Sequence, residues 1–148
     1  IKRKIIIALP TVQFVDDNLL KKLSNLELLE GYLNQKKLEL NQANISKKEG
    51  EINRRTLTNI GCFRMYIRNY LDKHPHLRKD MTMLVRQLPI NQYGLPIEIY
   101  AFTNTTKWGE YEDIQSDIFD HILASIHYFQ LEAYQEPSSN DLKAMTSN

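Results

Sequence analysis

A chain of 148 residues that is 42% apolar and 25% charged has room for one domain with its own core and little space for a second. Its net charge of +1 and pI near 8.0 exclude the strongly basic balance that nucleic acid or anionic lipid demands, Lys2-Arg3-Lys4 being a local exception. A single cysteine, Cys62, excludes an intramolecular disulfide, and the longest apolar run, Ile5 to Pro10, falls far short of the roughly 20 residues a membrane-crossing helix needs.

The chain begins at Ile1 in strand-like sequence, so it is expected to be an excerpt whose membrane segments, if present, lie upstream. Residues 3–9 are rich in β-branched side chains and close at Pro10, which predicts a first strand. Leucines at 19, 20, 23, 26, 29 and 33 then recur at spacings of three and four, the stripe of an amphipathic helix capped by Asp16 or Asp17 and broken near Ser24-Asn25. The polar stretch from Gln42 to Gly50 reads as a mobile loop. A second helix is expected from Thr58 or Asn59 to about His74, presenting Ile60, Phe63, Ile67, Tyr70 and Leu71, because Pro75 disfavours helical geometry before it.

Met81 to Leu88 and Pro96 to Phe102 read as two strands joined by a loop of turn formers. Alternation places Ile97, Ile99 and Ala101 toward the helices and Glu98, Tyr100 and Phe102 on the opposite face. A last helix is expected over Trp108 to Phe129, with Glu110, Glu112 and Asp113 crowding its electropositive start. Leu131 to Pro137 supplies a short final strand, and residues 138–148 read as a disordered tail. This order predicts an α+β fold over residues 1–137: a ferredoxin-like βαββαβ four-stranded antiparallel sheet with helices on one face and a helical insertion at 17–52.

Gly94 to Ile126, with Asn53 to Leu71 and Asp80 to Leu88, resembles the C-terminal cytoplasmic domain of the MscS family of mechanosensitive channels, most closely the miniconductance-type branch. The resemblance spans about Ile1 to Pro137 and implies a βαββαβ module, a cytoplasmic vestibule of a bacterial inner-membrane channel, and homo-oligomeric assembly as a heptamer. It also implies attachment to the membrane through segments outside this sequence. The chain departs from the better-known small-conductance members through its helical insertion before Asn53, so cage shape and portal size do not carry over.

Candidate chemistry is sparse. Asp117 and His121, with Asp120 beside them, could bring two metal ligands together at i,i+4, but two ligands make no site, and a solvent-facing acid and imidazole is the plainer reading. His74 and His76 flank Pro75 at a helix end, where capping or exposure accounts for them. Cys62 lacks any nameable base or oxyanion partner and reads as a packed residue. Asn44-Ile45-Ser46 and Asn104-Thr105-Thr106 fit a glycosylation acceptor pattern that has no secretory context here. No phosphate loop, nucleophile elbow or CxxC pair is present, so neither an enzyme nor a cofactor site is expected.

Tyr100, Phe102 and Trp108 are aromatics that need a cover, supplied either by a neighbouring subunit or by the insertion helices of the same chain. Two other readings compete. An RNA-binding module shares the βαββαβ order, but the first strand has no aromatic and the basic-glycine-aromatic signature is missing before Tyr100, so no nucleic-acid partner is expected. A ferredoxin-like domain sensing a small ligand at a dimer interface fits the fold and has no sequence marker.

Overall fold

The computed structural model describes residues 1–43 and 57–146. Strand β1 (Lys2–Ile7) leads through a 3-10 turn at Leu9–Thr11 to helices α1 (Asp17–Leu23) and α2 (Glu30–Ala43), then α3 (Asn59–Asp72). Strands β2 (Leu84–Gln87) and β3 (Leu95–Tyr100) follow, then α4 (Trp108–Ser125), a 3-10 turn at Ile126–Phe129, and α5 (Ser139–Thr146). No described helix is long and apolar enough to cross a membrane.

The sheet is antiparallel in the order β1-β3-β2, with Ile5 opposite Ile97 and Val85 opposite Ile99. Beyond β1, the expected fourth strand is reduced to a single bridge between Ile7 and Ala133, flanked by Ala8 N donating to Glu132 O and Tyr134 N donating to Ile6 O, each at 2.8 Å. The ferredoxin-like order therefore holds while Leu131 to Pro137 is a correction. A longer ladder needs extended residues on both sides; β1 stops at Ile7, where Pro10 starts a turn, and Pro137 supplies no amide donor.

One face of the sheet packs on α3 and α4. Ile5, Ile7, Val85, Leu95, Ile97 and Ile99 from the strands meet Phe63, Ile67, Leu71, Ile118, Phe119 and Ile122 from those helices in one core. The expected face of β3, Ile97, Ile99 and Ala101, is buried as its alternation requires. The hairpin between β2 and β3 turns at Gly94, whose φ of +139° suits glycine, and an added Cβ would lie 2.4 Å from Ile7 O. Asn91 and Gly94 exchange backbone bonds across that turn.

The described part of the insertion, residues 17–43, packs on the helices. Asp16 Oδ1 accepts from Leu19 N at 2.7 Å to cap α1, and Leu19, Leu23, Leu29 and Leu33 are all buried. Asn69 of α3 donates to Leu28 O at 2.7 Å, and Tyr128 Oη donates to Lys22 O at 3.0 Å. The break expected near Ser24-Asn25 is present as a turn between α1 and α2. The stretch expected as a mobile loop, Gln42 to Gly50, lies outside the described residues from 44 onward, as does Asn44-Ile45-Ser46; Gln42 and Ala43 are instead the last two residues of α2.

Two further differences concern helix ends. Of the two candidate caps for α3, Thr58 serves, its Oγ1 accepting from Gly61 N at 3.1 Å. Asn59 is instead a fully buried joint: its Nδ2 donates to Thr11 O at 2.9 Å and Phe129 O at 3.1 Å, and its Oδ1 accepts from Gln13 N at 2.9 Å. Residues 139–146, expected to be a disordered tail, form α5.

Candidate subunit-contact surface

The sheet face turned away from α3 and α4 is built from alternating residues of all three strands. Its centre is a charged row in which β3 Glu98 stands between Lys4 and Arg86. Arg86 donates to Glu98 Oε1 from Nε at 3.0 Å and from an Nη at 2.9 Å, and the carboxylate is buried while Arg86 stays exposed. Neighbouring strands shield it from the sides.

On one side of that row Tyr100 lies between Lys2 and Leu84, and its ring meets Phe102 edge-on at 5.3 Å. Both aromatics are half-buried, and Leu84 is 38% exposed. On the other side Ile6 faces Pro96, and the Tyr93 and Tyr134 rings meet at 5.6 Å. The face is thus banded: apolar, charged, apolar. Within the three strands the charged groups of this face are Lys2, Lys4, Arg86 and Glu98.

Of the three aromatics singled out from sequence, Tyr100 and Phe102 come together and Trp108 does not join them. Trp108 opens α4 at 79% exposure, and its indole Nε1 donates to Glu112 Oε1 at 3.2 Å. Among the described residues, the hydrogen bonds of the insertion go to α3 and to the turn after α4 rather than to this pair. Sequence reasoning missed the Tyr93–Tyr134 pair; the alternation of Glu132, Ala133 and Tyr134 beside a strand was the available signal.

The other candidate groups are accounted for locally. The basic cluster is split by strand alternation: Lys2 and Lys4 are exposed on the open face, whereas the Arg3 guanidinium lies 4.3 Å from the Phe119 ring centre on the helix side. Asp117 and Asp120 are exposed as expected, but His121 is not solvent-facing. It is half-buried, stacked on Tyr70 at 4.1 Å, with Nε2 and the Tyr66 hydroxyl 2.8 Å apart. Among the described residues no group of His, Cys, Asp and Glu could hold a metal.

Burial, with His76 and Lys79 nearby, holds the His74 imidazole below its ordinary pKa, against the opposing pull of Asp117. The cation serving the end of α3 is Lys79, whose ammonium donates to Leu71 O at 2.9 Å and His74 O at 2.8 Å. Cys62 is fully buried, and desolvation pushes its thiol up to about 11, so it is un-ionised at neutral pH and not a nucleophile in the folded chain.

The family model described as mechanosensitive ion channel MscS, C-terminal, matches residues 63–129. That segment is similar to the C-terminal domain of the MscS family. The matched residues run through most of α3, both strands of the hairpin, α4 and the turn that follows it. They contain Tyr100, Phe102 and Trp108, and they supply β2 and β3 of the open face, while β1 and the insertion lie outside the match. MscS is a family of ion channels, of which this domain is a cytoplasmic part.

Proposed function

We propose that the chain is the cytoplasmic vestibule domain of a miniconductance-type channel subunit in a bacterial inner membrane, and that it works by assembly without catalysis. Copies pack around an axis, a heptamer by family resemblance, below a pore that releases ions or osmolytes when membrane tension rises in hypoosmotic stress. The observation that carries this reading is the MscS C-terminal match over residues 63–129, a segment that holds the half-buried, edge-on pair Tyr100 and Phe102 on the sheet face opposite α3 and α4. Residues 1–137 act as one domain in this reading, its insertion at 17–52 shaping the cage wall.

In a ring, a neighbouring subunit covers the apolar bands and meets the cations of the central row, and Trp108 adds an exposed aromatic at the start of α4. Patch-clamp recording of the complete protein in liposomes tests the assignment. Tension-activated currents are expected, and a silent bilayer up to lytic tension overturns it. Titration with mixed single-stranded oligonucleotides addresses the rival RNA-binding reading; no saturable affinity is expected, and micromolar binding lost on Tyr100→Ala with Phe102→Ala reverses the ranking.

A further inference from the structure

Two surfaces on opposite sides of the domain carry opposite charge. One is the sheet face turned away from α3 and α4, where Lys2 and Lys4 are exposed and no hydrogen bond or ion pair among the described residues engages either ammonium group. Glu98 is already held by Arg86 at 2.9 Å, so the strands keep a surplus of cations at the centre of the face and at its Lys2 end. Glu132 lies beside Ala8 past the other end of β1, roughly 20 Å along the strand from Lys2. The second surface is the outer side of α4. Ile118, Phe119 and Ile122 turn one side of that helix into the core, and the helical period puts Asp113, Asp117 and Asp120 on the other. All three are exposed, and among the described residues none makes a hydrogen bond or an ion pair. The helix contains no lysine or arginine, and Lys107 before it is held by Glu110 at 3.8 Å. Exposed apolar groups stand at its two ends, Trp108 at 79% and Leu123 at 43%.

We propose that the outer side of α4 in one copy of the chain docks on the sheet face of the next, joining copies head to tail. The inference rests on the reading of that sheet face as a subunit contact and names the surface that meets it. The spacings agree. Along a helix Asp117 stands about 6 Å and Asp120 about 10 Å from Asp113. Along a strand Lys2 and Lys4 are about 7 Å apart, and Lys4 and Arg86, both opposite Glu98, are about 10 Å apart across two strand spacings. Trp108 and Leu123 then meet the apolar side chains beside the cations, Leu84, Tyr100 and Phe102.

Charge also selects the symmetry. A two-fold pairing of sheet faces sets Lys2 and Lys4 against their own copies, and a two-fold pairing of α4 helices opposes carboxylates. Sheet on helix matches opposite signs. Because the two surfaces lie on opposite sides of the domain, a copy bound through one keeps the other for a further copy, which is a heterologous contact able to close into a ring. Exposed ion pairs add little affinity each, so the contact is weak and salt-sensitive, and its charges act chiefly by fixing orientation.

Sedimentation velocity of the 148-residue chain at low salt, from about 10 μM to about 1 mM, tests the contact. Concentration-dependent association is expected, weakened about tenfold by about 0.5 M salt. Lys2→Glu with Lys4→Glu, and separately Asp113→Lys with Asp117→Lys, each set like charges against one another and abolish it, with the circular dichroism unchanged. Mixing the two variants restores association, because each reversed face then meets its counterpart; a two-fold contact gives no such rescue. A chain that stays monomeric throughout, association that either double variant leaves intact, or a mixture that stays unassociated overturns the proposal. Should a double variant fail to fold, Lys4→Glu and Asp117→Lys alone take its place. Tension-activated currents from the complete protein alongside failure here remove this contact and leave the channel reading standing, whereas rescued association with a silent bilayer does the reverse.

Discussion

The two faces of β3 are one residue apart in sequence and opposite in character. Ile97 and Ile99 are 0% exposed beneath α3 and α4, whereas Tyr100 and Phe102, on the other side, are half-buried and meet each other edge-on. The first face is completed by its own chain and belongs to folding. The second carries a charged row, Lys4–Glu98–Arg86, at its centre, between apolar residues that stay partly in water. Apolar area left in that state stabilises nothing until another surface removes it from water.

That contrast is most strongly tested at Ile97. Ile97→Ala should cost about 2–5 kcal/mol of stability by removing methylenes from a closed core, read as a lowered urea midpoint at constant m. Arg86→Met should cost less, about 1 kcal/mol in the same assay, because the buried Glu98 carboxylate loses a charge-assisted pair whose cation was already half in water. A loss from Arg86→Met equal to that from Ile97→Ala would erase the distinction between the faces.

Tyr100→Ala with Phe102→Ala separates folding from assembly. In the isolated chain the pair should cost roughly 1 kcal/mol, mainly their edge-on contact and partial burial. In the complete protein it should weaken oligomer formation visibly by native mass spectrometry, and unchanged assembly would show that this face contacts no neighbour. Trp108→Ala should be still milder in the isolated chain, within about 0.5 kcal/mol, since the ring is almost wholly in solvent.

The smallest expected effect is a pH dependence from the helix side. The His74 pKa is lowered in the fold from its ordinary 6.5, so the unfolded chain takes up the proton first. Its contribution to stability is fully present above 6.5 and is lost as pH falls through the interval down to the folded value. Comparing urea midpoints of the native chain and His74→Gln at pH 7.5 and 5.5 isolates that loss, and the substituted chain should show the shallower decline.

How much was legible depended on the range of the interaction. The leucine stripe of the insertion, the alternation of β3, the glycine in the hairpin and the acidic start of α4 are local signals, and each element lies within a few residues of its expected bounds. The roles of Asn59 and His121 were not legible, because each is defined by partners far along the chain: Thr11 and Phe129 for one, Tyr66 and Tyr70 for the other. A polar residue on a helix looks the same in sequence whether it caps, faces water or joins two layers. The fourth strand failed for a related reason, since β-pairing needs a partner still extended at the right register.

By itself the amino-acid order determined the elements, their apolar faces and the MscS likeness, all of which arise from residues near one another in the chain. Tertiary structure alone decided that the described part of the insertion packs on the helices, where Asn69 of α3 donates to Leu28 O and Tyr128 to Lys22 O. Periodicity states that a face must be covered; only the path of the folded chain selects the cover, because apolar attraction carries no address.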